Sequence, residues 1–349
     1  MFARESSGPD RRVVSVLVAT AGFAVIWAVA HVLLLSVGPV GIPPATVVDV
    51  LVGGGTGSDI AVVWDLRMPM AIATGVVGAA LGVAGAWTQT SARNPIASPD
   101  VLGVSGGASV AVVLGTLVAR PEFAEGIPTF WWRCLLAMAG AATIVALLFA
   151  LDGLGTSRRV ILVGVALALM CQAAVSYLLL RADLARAAEA QTWLAGSTGF
   201  VRWQAVPPLV LATVPFLLLG ASRWREVPLL AHDDDSARAL GVDVNRVRTI
   251  LLIASTGLVA ATVSVVGPIG FVALLAPQVA RLASRAPTPP PLASAAAGAA
   301  LLSSCAVIAG ALPVTAPVGL VTAIIGGPVL AVLVMRGRAS RITTPRRIS

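Results

Sequence analysis

Long apolar runs separated by short polar breaks occupy the sequence from residue 13 to residue 335. A helix that spans a bilayer needs roughly 20 consecutive, mostly apolar residues, and runs of this length favour membrane-crossing helices. The pattern predicts an all-α, polytopic membrane protein, in which residues 1–349 form a single transmembrane domain with about ten transmembrane helices. The candidate helices are residues 13–37, 68–90, 101–119, 130–151, 160–180, 203–221, 249–266, 267–283, 292–312 and 318–335.

Composition excludes a water-soluble globule, because 57% of the residues are hydrophobic and only 11% are charged. All 24 basic residues are arginine. A Walker A loop needs a lysine that reaches the nucleotide phosphates, so any ATP would have to be handled by another subunit. The three cysteines lie singly in apolar runs and are interpreted as core residues rather than as disulfides or metal ligands. No cofactor is expected.

Ten crossings would place both termini on the same side of the membrane. If that side is the cytoplasm, the inner segments hold 18 of the 24 arginines and the outer segments hold six. Because arginine is retained in cytoplasmic segments, this asymmetry predicts cytoplasmic termini. The same topology predicts an N-terminal tail at residues 1–12, a long loop at residues 222–248 and a C-terminal tail at residues 336–349, all in the cytoplasm.

The stretch at residues 249–283 is nearly continuous and is broken only by a Gly-Pro pair and one further proline. Interrupted helices survive in a membrane only where protein or a water-filled cavity satisfies the freed backbone groups, so this stretch is expected beside the pathway or in the bundle core. A short match between residues 74–79 and 256–261 pairs the second span with the seventh. An offset of five spans inverts the second copy, which predicts two inverted five-helix repeats.

Carboxylates are missing from the interior of the candidate helices. An ion-coupled secondary transporter usually needs one near the midplane, so that class is disfavoured. An intramembrane enzyme would need an acid, base or nucleophile constellation on facing helices, and none is visible. Gln89 and Gln172 are the nearest polar substitutes. Each is interpreted as an interhelical hydrogen-bonding residue, with a ligand role as the alternative.

The cytoplasmic loop contains a charged segment that predicts a short exposed helix. Asp233 can cap the start of this helix, the acids that follow suit its positive end, and Gly241 can close it. Ala237 and Leu240 would add an apolar patch that a solvated connector does not require. A helix on which a cytoplasmic partner docks explains both features, and a solvated connector is the alternative.

Four motifs together resemble those of one permease family. Residues 93–108 resemble the NPLAxPxxLGxxxGA stretch of the FecCD-type permeases, which are the membrane subunits of binding-protein-dependent ABC importers for ferric siderophores, haem and cobalamin. Residues 234–241 resemble their EETAxxLG coupling segment, residues 267–281 their GPIGFxGLxxPHxxR stretch and residues 317–328 their PVGxxTxxxGxP stretch. The resemblance follows the family's motif order and covers most of the chain.

The resemblance implies a function and a set of partners. It implies ten helices per subunit, a dimer of two identical or related permease subunits around a central pathway, and two ATP-binding cassette ATPase subunits below. It also implies an extracytoplasmic substrate-binding protein, a bacterial cytoplasmic membrane with lipid as the surroundings, and no nucleic acid partner. A ferric siderophore is the first choice of cargo, with haem and cobalamin as alternatives. The chain shows no cluster of metal ligands, so a metal would arrive already chelated.

The same resemblance assigns roles to individual residues. The translocation gate is expected at Asn94, Pro95, Ile96, Thr156 and Ser157. The pathway or core motif is expected to comprise Gly267, Pro268, Gly270, Phe271, Pro277, Gln278 and Arg281. The ATPase coupling segment is expected to use Asp234, Asp235, Ser236, Ala237, Leu240 and Gly241. Arg67 is expected to dock the binding protein.

Three positions depart from the family pattern. Gln278 stands where the family has histidine, which puts a proton-linked role in doubt but keeps a donor and an acceptor. Met70 stands where a second outer arginine is common, and Arg181 or Arg186 could replace it. Asp233 stands where the coupling segment usually has glycine, which would stiffen the start of that helix.

Overall fold

The structure is a computed structural model that describes residues 11–38, 40–118, 120–152, 158–231, 233–312 and 316–342. Within these ranges every regular element is helical, which confirms the predicted all-α class. A π-helical segment, Ala61–Arg67, joins α3 to α4. The α-helices are α1 (Arg11–Ser36), α2 (Pro44–Leu51), α3 (Gly57–Ile60), α4 (Met68–Ala92), α5 (Val104–Leu117), α6 (Thr129–Asp152), α7 (Arg158–Arg181), α8 (Leu184–Leu194), α9 (Val206–Ala221), α10 (Asp234–Ala239), α11 (Val244–Val266), α12 (Val272–Ser284), α13 (Pro291–Ala311) and α14 (Val318–Ile342).

Seven helical segments in the described part of the chain are long and apolar enough to cross a membrane. They are Arg12–Ser36, Gly57–Ala92, Thr129–Leu148, Leu162–Arg181, Trp203–Ala221, Val244–Val266 and Pro291–Ala311. The three other predicted runs coincide with shorter apolar helices: α5, α12 and the first part of α14. At a rise of about 1.5 Å per residue, α5 and α12 each extend only about 20 Å, less than the roughly 30 Å of a bilayer's hydrocarbon core.

Two helices begin later than the sequence predicted. Helix α12 begins at Val272, because the preceding Phe271 has a left-handed φ of 68°. Helix α5 begins at Val104, because Gly103 has a φ of 83° after a short 3₁₀ turn. A left-handed residue interrupts a right-handed helix. Both corrections therefore follow from single backbone conformations that apolar periodicity does not reveal.

Helix α4 is the central helix of the bundle: it is buried along most of its length and packs against α11, α12 and α13. Its contact with α13 is lined by glycine. A Cβ on Gly78 would overlap the carbonyl group of Gly298, and a Cβ on Gly82 would overlap the carbonyl oxygen of Ser294. Small residues let membrane helices approach closely, and van der Waals packing then stabilises the contact. The spacing of α4 and α13 therefore depends on glycine.

The three cysteines are free and buried, in agreement with the sequence prediction. Cys134 donates a hydrogen bond from Sγ to the carbonyl oxygen of Ser264 at 3.1 Å, which links α6 to α11. Cys171 packs against Gly106 and so links α7 to α5. In these positions the thiols act as small core groups.

We expect Gly82→Ala to lower the free energy of unfolding by about 1–3 kcal/mol, the usual range for overpacking a tight contact, because the new methyl group would displace the α13 backbone. Gly22→Ala on α1 is the matched control, since no atom lies within 4 Å of the added Cβ. That control should be neutral or stabilising by up to about 1 kcal/mol. Unfolding by SDS in mixed micelles measures both variants, and equal effects would contradict the close-packing explanation.

Candidate functional site

The chain turns sharply at the C-terminal end of α4. Arg93 follows the last helical residue and has a left-handed φ of 48°. The N–H group of Asn94 donates to the carbonyl oxygen of Gln89 at 3.2 Å, and that of Arg93 donates to Thr90 at 3.3 Å. This pattern is a Schellman helix stop, in which glycine usually takes the left-handed position. Here an arginine occupies it, at a cost of about 1–2 kcal/mol.

The predicted gate residues of this region form the turn that follows. The side-chain oxygen of Asn94 accepts a hydrogen bond from the N–H group of Ile96 at 3.1 Å, so the asparagine shapes the turn. Pro95 and Ile96 are exposed. The structure thus brings Asn94, Pro95 and Ile96 together at one projecting turn, and their gating role stays a prediction. Thr156 and Ser157 lie outside the described residues.

A half-buried carboxylate, that of Asp100, follows this turn. Asp100 accepts a hydrogen bond from the hydroxyl group of Ser105 at 2.5 Å, and Ser98 caps the short 3₁₀ turn in which Asp100 lies. Burial raises the pKa of Asp100, while the two serines partly offset that effect. The carboxylate therefore ties the 3₁₀ turn to the start of α5.

The predicted cytoplasmic helix is α10, and both of its predicted ends are confirmed. Asp233 accepts hydrogen bonds from the N–H group of Ser236 at 2.8 Å and from its hydroxyl group at 2.7 Å. These bonds lower the pKa of Asp233. At the other end Gly241 has a φ of 84°, and the N–H group of Val242 donates to Ala237 at 3.1 Å. The sequence predicted these ends because caps depend only on neighbouring residues.

The two faces of α10 differ in burial. Ala237 is fully buried against the rest of the chain, so the predicted exposed pair of apolar residues is wrong for Ala237. Leu240 is 64% exposed. Asp235 and Ser236 are also exposed, and Asp235 pairs with Arg238 of the same helix at 3.1 Å. Leu240 and the exposed polar residues of α10 therefore share the accessible face of this helix.

Asp234 connects α10 to two other helices. One of its carboxylate oxygens lies 2.7 Å from Nη2 of Arg93, at the end of α4. Arg248, near the start of α11, donates to both carboxylate oxygens at 2.8 and 2.9 Å. Hydrogen bonding from Arg248, with the charge of Arg93 beside it, holds the pKa of Asp234 below its usual range. The structure therefore joins the predicted coupling segment directly to the residue before the gate turn.

Sequence reasoning assigned Asp234 to ATPase coupling but gave no role to Arg93 or Arg248. The signal that was available is the charge of Arg93 immediately before the gate turn. Its partner lies 141 positions away in the sequence, and no periodic pattern can predict a contact over that separation.

Three glycine-containing segments meet at the C-terminal end of α11. The N–H group of Gly319, at the start of α14, donates to the carbonyl oxygen of Gly196 at 3.0 Å. The loop after α11 packs against the same segment, because a Cβ on Gly196 would overlap the carbonyl oxygen of Pro268 and a Cβ on Gly267 would overlap that of Trp193. Gly196 and Gly267 both have positive φ angles, which glycine adopts without strain. Gly267 and Pro268 of the predicted core motif thus form a backbone junction with the segment after α8 and the start of α14.

Gly270 and Phe271, later in the loop between α11 and α12, have different surroundings. Gly270 has no atom within 4 Å of an added Cβ, so close packing does not explain its glycine. Phe271 lies directly beneath Gly326 of α14, whose Cβ would overlap the phenylalanine side chain. A left-handed phenylalanine is a rare conformation that costs on the order of 1–3 kcal/mol. Packing against α14 keeps Phe271 in place.

Helix α4 packs against α12 at Pro277 and Gln278. Proline has no N–H group, so the carbonyl oxygen of Ala273 lacks its helical donor. Gly85 lies against that oxygen, at a distance too short to admit any side chain. Four residues further on, Gln89 accepts a bond from Gln278 at 2.5 Å.

Gln89 also donates to the carbonyl oxygen of Leu274 at 3.0 Å. The predicted interhelical role of Gln89 is thereby confirmed, and its partner is the residue that replaces the family histidine. Gln278 uses an amide donor there, so this contact does not require a titrating group. Arg281, one turn further along α12, is half-buried.

Arg67 is buried at the outer end of the π-helical segment, with 7% of its surface exposed. Nη1 donates to the carbonyl oxygen of Leu35 at 2.7 Å, and Nη2 donates to that of Val40. The guanidinium group therefore fixes the chain after α1 and offers almost no surface to a second protein. This position does not support the docking role that the resemblance implied for Arg67.

A cavity of about 410 Å³ lies between α6, α8 and the C-terminal end of α11. Arg133 and Glu189 form an ion pair on its wall, and hydroxyl groups of Thr192, Ser197 and Ser264 line it further. Aromatic side chains complete the lining. The cavity adjoins the backbone junction at the C-terminal end of α11.

Comparisons with known proteins agree with this arrangement. A model of the FecCD transport family matches residues 26–336. The chain is 35% identical over 301 residues to the ferric enterobactin transport system permease protein FepG of Escherichia coli (strain K12), covering 86% of this chain and 90% of the relative. It is 33% identical over 285 residues to the hemin transport system permease protein HmuU of Yersinia pestis, covering 80% and 85%.

A solved structure assigned to a metal-chelate type ABC transporter, in an inward-facing conformation, matches the fold with a TM-score of 0.75. The two chains are 25% identical, and the match covers 92% of this chain and 99% of the other. The family model, the two relatives and this structure each match most of the chain. The protein belongs to the FecCD transport family of ABC importer permeases.

Proposed function

We propose that this chain is the subunit through which an ABC importer moves ferric siderophores into the cell, by alternating access driven by separate ATPase subunits. The observation that carries the proposal is α10, a helix capped at both ends and fixed to α4 and α11 by Asp234, with Leu240 exposed. A solvated connector would need neither the anchoring nor the exposed leucine. An ATPase groove that receives the helix explains both.

The proposed architecture has ten crossings arranged as two inverted five-helix repeats. Its support is a pattern that occurs twice: a long helix, a residue with positive φ, a proline-containing loop and a short helix. This pattern occurs at α4 and α5, and again at α11 and α12. The matched residues 74–79 and 256–261 lie at different distances from the ends of their helices, so the helix pattern supports the repeat better than that match does.

A second permease subunit is proposed to pack on α7. Gln172 lies on the exposed face of that helix, which differs from the interhelical hydrogen bond predicted within this chain. Ser176 and Tyr177 lie on the same exposed face. Polar side chains at membrane depth favour a protein or water neighbour over lipid. The face suits either an identical or a related subunit.

The binding protein is proposed to dock on exposed outer arginines other than Arg67. Arg181 is exposed and lies 5.5 Å from the ring of Tyr177, and Arg202 is exposed after α8. Arg186 is exposed as well, although it pairs with Asp183. Charged residues at the rim of an interface steer association with oppositely charged partners. Acidic residues on the binding protein would meet these arginines.

The cargo is proposed to be a chelate, with a ferric siderophore preferred and haem or cobalamin as alternatives. Among the described residues no group of three or more histidine, cysteine, aspartate or glutamate side chains could hold a metal ion. A metal would therefore cross inside its chelator. An ion-coupled secondary transporter is the alternative of a different class, and the helices that would have to carry its ion site contain no carboxylate near their centres.

We expect Leu240→Asp to abolish co-purification of the ATPase subunits while the permease stays folded, because the substitution places a charge in an apolar contact. Ser222→Asp is the control, since it adds the same charge at an exposed position of the same loop outside α10. Affinity pull-down from detergent extracts measures assembly. Normal assembly of the Leu240→Asp permease would contradict the docking role of α10.

Reconstitution tests the function itself. The permease should accumulate a labelled ferric siderophore in proteoliposomes only when the ATPase subunits, the binding protein and ATP are all present. Parallel assays with haem and cobalamin identify the chelate. Uphill accumulation by the permease alone, driven by an ion gradient without nucleotide, would establish the secondary transporter instead.

A further inference from the structure

We propose that the ion pair between Asp234 and Arg93 transmits the movement of α10 to the inner gate turn. The inference rests on the proposed function, in which α10 is the part of the chain that the ATPase moves. It assigns a positioning role to Arg93, which no sequence motif had singled out for coupling. The contact joins two segments that lie 141 residues apart.

The first argument is the directness of the connection. Arg93 immediately precedes Asn94, and its Nη2 atom lies 2.7 Å from the carboxylate of Asp234, the first residue of α10. The Nε atom of the same guanidinium donates to the carbonyl oxygen of Leu230, just before α10, at 2.8 Å. One side chain thus binds both α10 and the 3₁₀ turn that precedes it. A displacement of α10 must either break these bonds or move the turn.

The second argument is the backbone of Arg93. Its φ of 48° is one that glycine adopts freely and that other residues rarely adopt. Strained residues persist where surrounding contacts over-determine them, and they cluster at functional sites. A glycine here would relieve the backbone strain but would remove the contacts with Asp234 and Leu230. The contacts of its side chain therefore explain why an arginine occupies this position.

The third argument is the arrangement of charge around Asp234. Arg248 binds the same carboxylate through two hydrogen bonds and fixes it to α11, and Arg238 approaches at 3.9 Å from within α10. The pKa of Asp234 is lowered from the ordinary 3.8. Because the pKa is lowered on folding, the stabilising interaction is fully present above the ordinary pKa of 3.8. It is lost as the pH falls through the lower pKa of the folded protein. At cytoplasmic pH the carboxylate is ionised and the link is intact.

The test uses the assembled permease and ATPase in inside-out vesicles, with Ile96→Cys as a reporter in the gate turn. The native cysteines are buried, so an impermeant maleimide labels mainly position 96. We expect ATP with vanadate to change the labelling rate. Asp234→Asn and Arg93→Gln should each reduce that change at least about tenfold, because hydrogen bonds between charged groups are the strong class, and the double variant should be no worse than either.

Glu226→Gln is the matched control. Its side chain is 29% exposed against 31% for Asp234, and it pairs with Arg223 of its own turn at 3.4 Å. The control should keep the full nucleotide response. ATPase co-purification should be unchanged in Arg93→Gln and in Glu226→Gln, since both substitutions leave α10 and Leu240 untouched.

Two results would overturn the inference on their own. One is a nucleotide response that persists in Arg93→Gln, which would leave Arg248 as the only functional partner of Asp234. The other is a loss of response in Arg93→Gln that equals the loss in Glu226→Gln. If Asp234→Asn fails to fold, Arg93→Gln and the charge-conserving Asp234→Glu decide the question, and Asp234→Glu should retain most of the response. An assembly that binds no ATPase, or shows no response with the reporter alone, would overturn the proposed function and the inference together.

Discussion

The approach of α4 to α12 and α13, backbone against backbone, is the contact on which the rest of the structure depends. Lipid tails are as apolar as leucine side chains, so helices gain little from burying apolar groups against one another and associate through close packing instead. Gly78 and Gly82 permit that packing with α13. Because the turn at Asn94–Ile96, the predicted gate, follows the C-terminal end of α4, the position of α4 sets where that turn lies.

Helix α4 also forms hydrogen bonds with polar groups inside the bundle. Gln89 on α4 binds both a carbonyl group and an amide of α12, and Thr74 donates to Thr198 at 2.9 Å on the outer side. Unsatisfied polar groups in a membrane cost several kcal/mol. These bonds therefore fix the rotation of α4 about its axis, which steric packing along a glycine surface would leave loosely defined.

The sequence predicted features that depend on neighbouring residues and missed those that depend on distant ones. The all-α class and both ends of α10 follow from local periodicity and capping, and the structure agrees. The burial of Ala237 and Arg67 depends on segments far away in the chain, as does the pairing of Asp234. A family motif indicates which residues matter, but it does not distinguish a residue that meets a partner from one that packs inward. Arg67 packs inward, whereas Leu240 is exposed and accessible to a partner.

The pairing of Pro277 with Gly85 has a consequence for how relatives of this chain can diverge. A side chain larger than hydrogen at position 85 would collide with the carbonyl oxygen of Ala273, and without the proline that oxygen would recover its own helical donor. The two positions, on helices separated by most of the chain, therefore share one constraint. We expect them to covary, with a bulkier residue tolerated at 85 only where α12 has straightened and moved away.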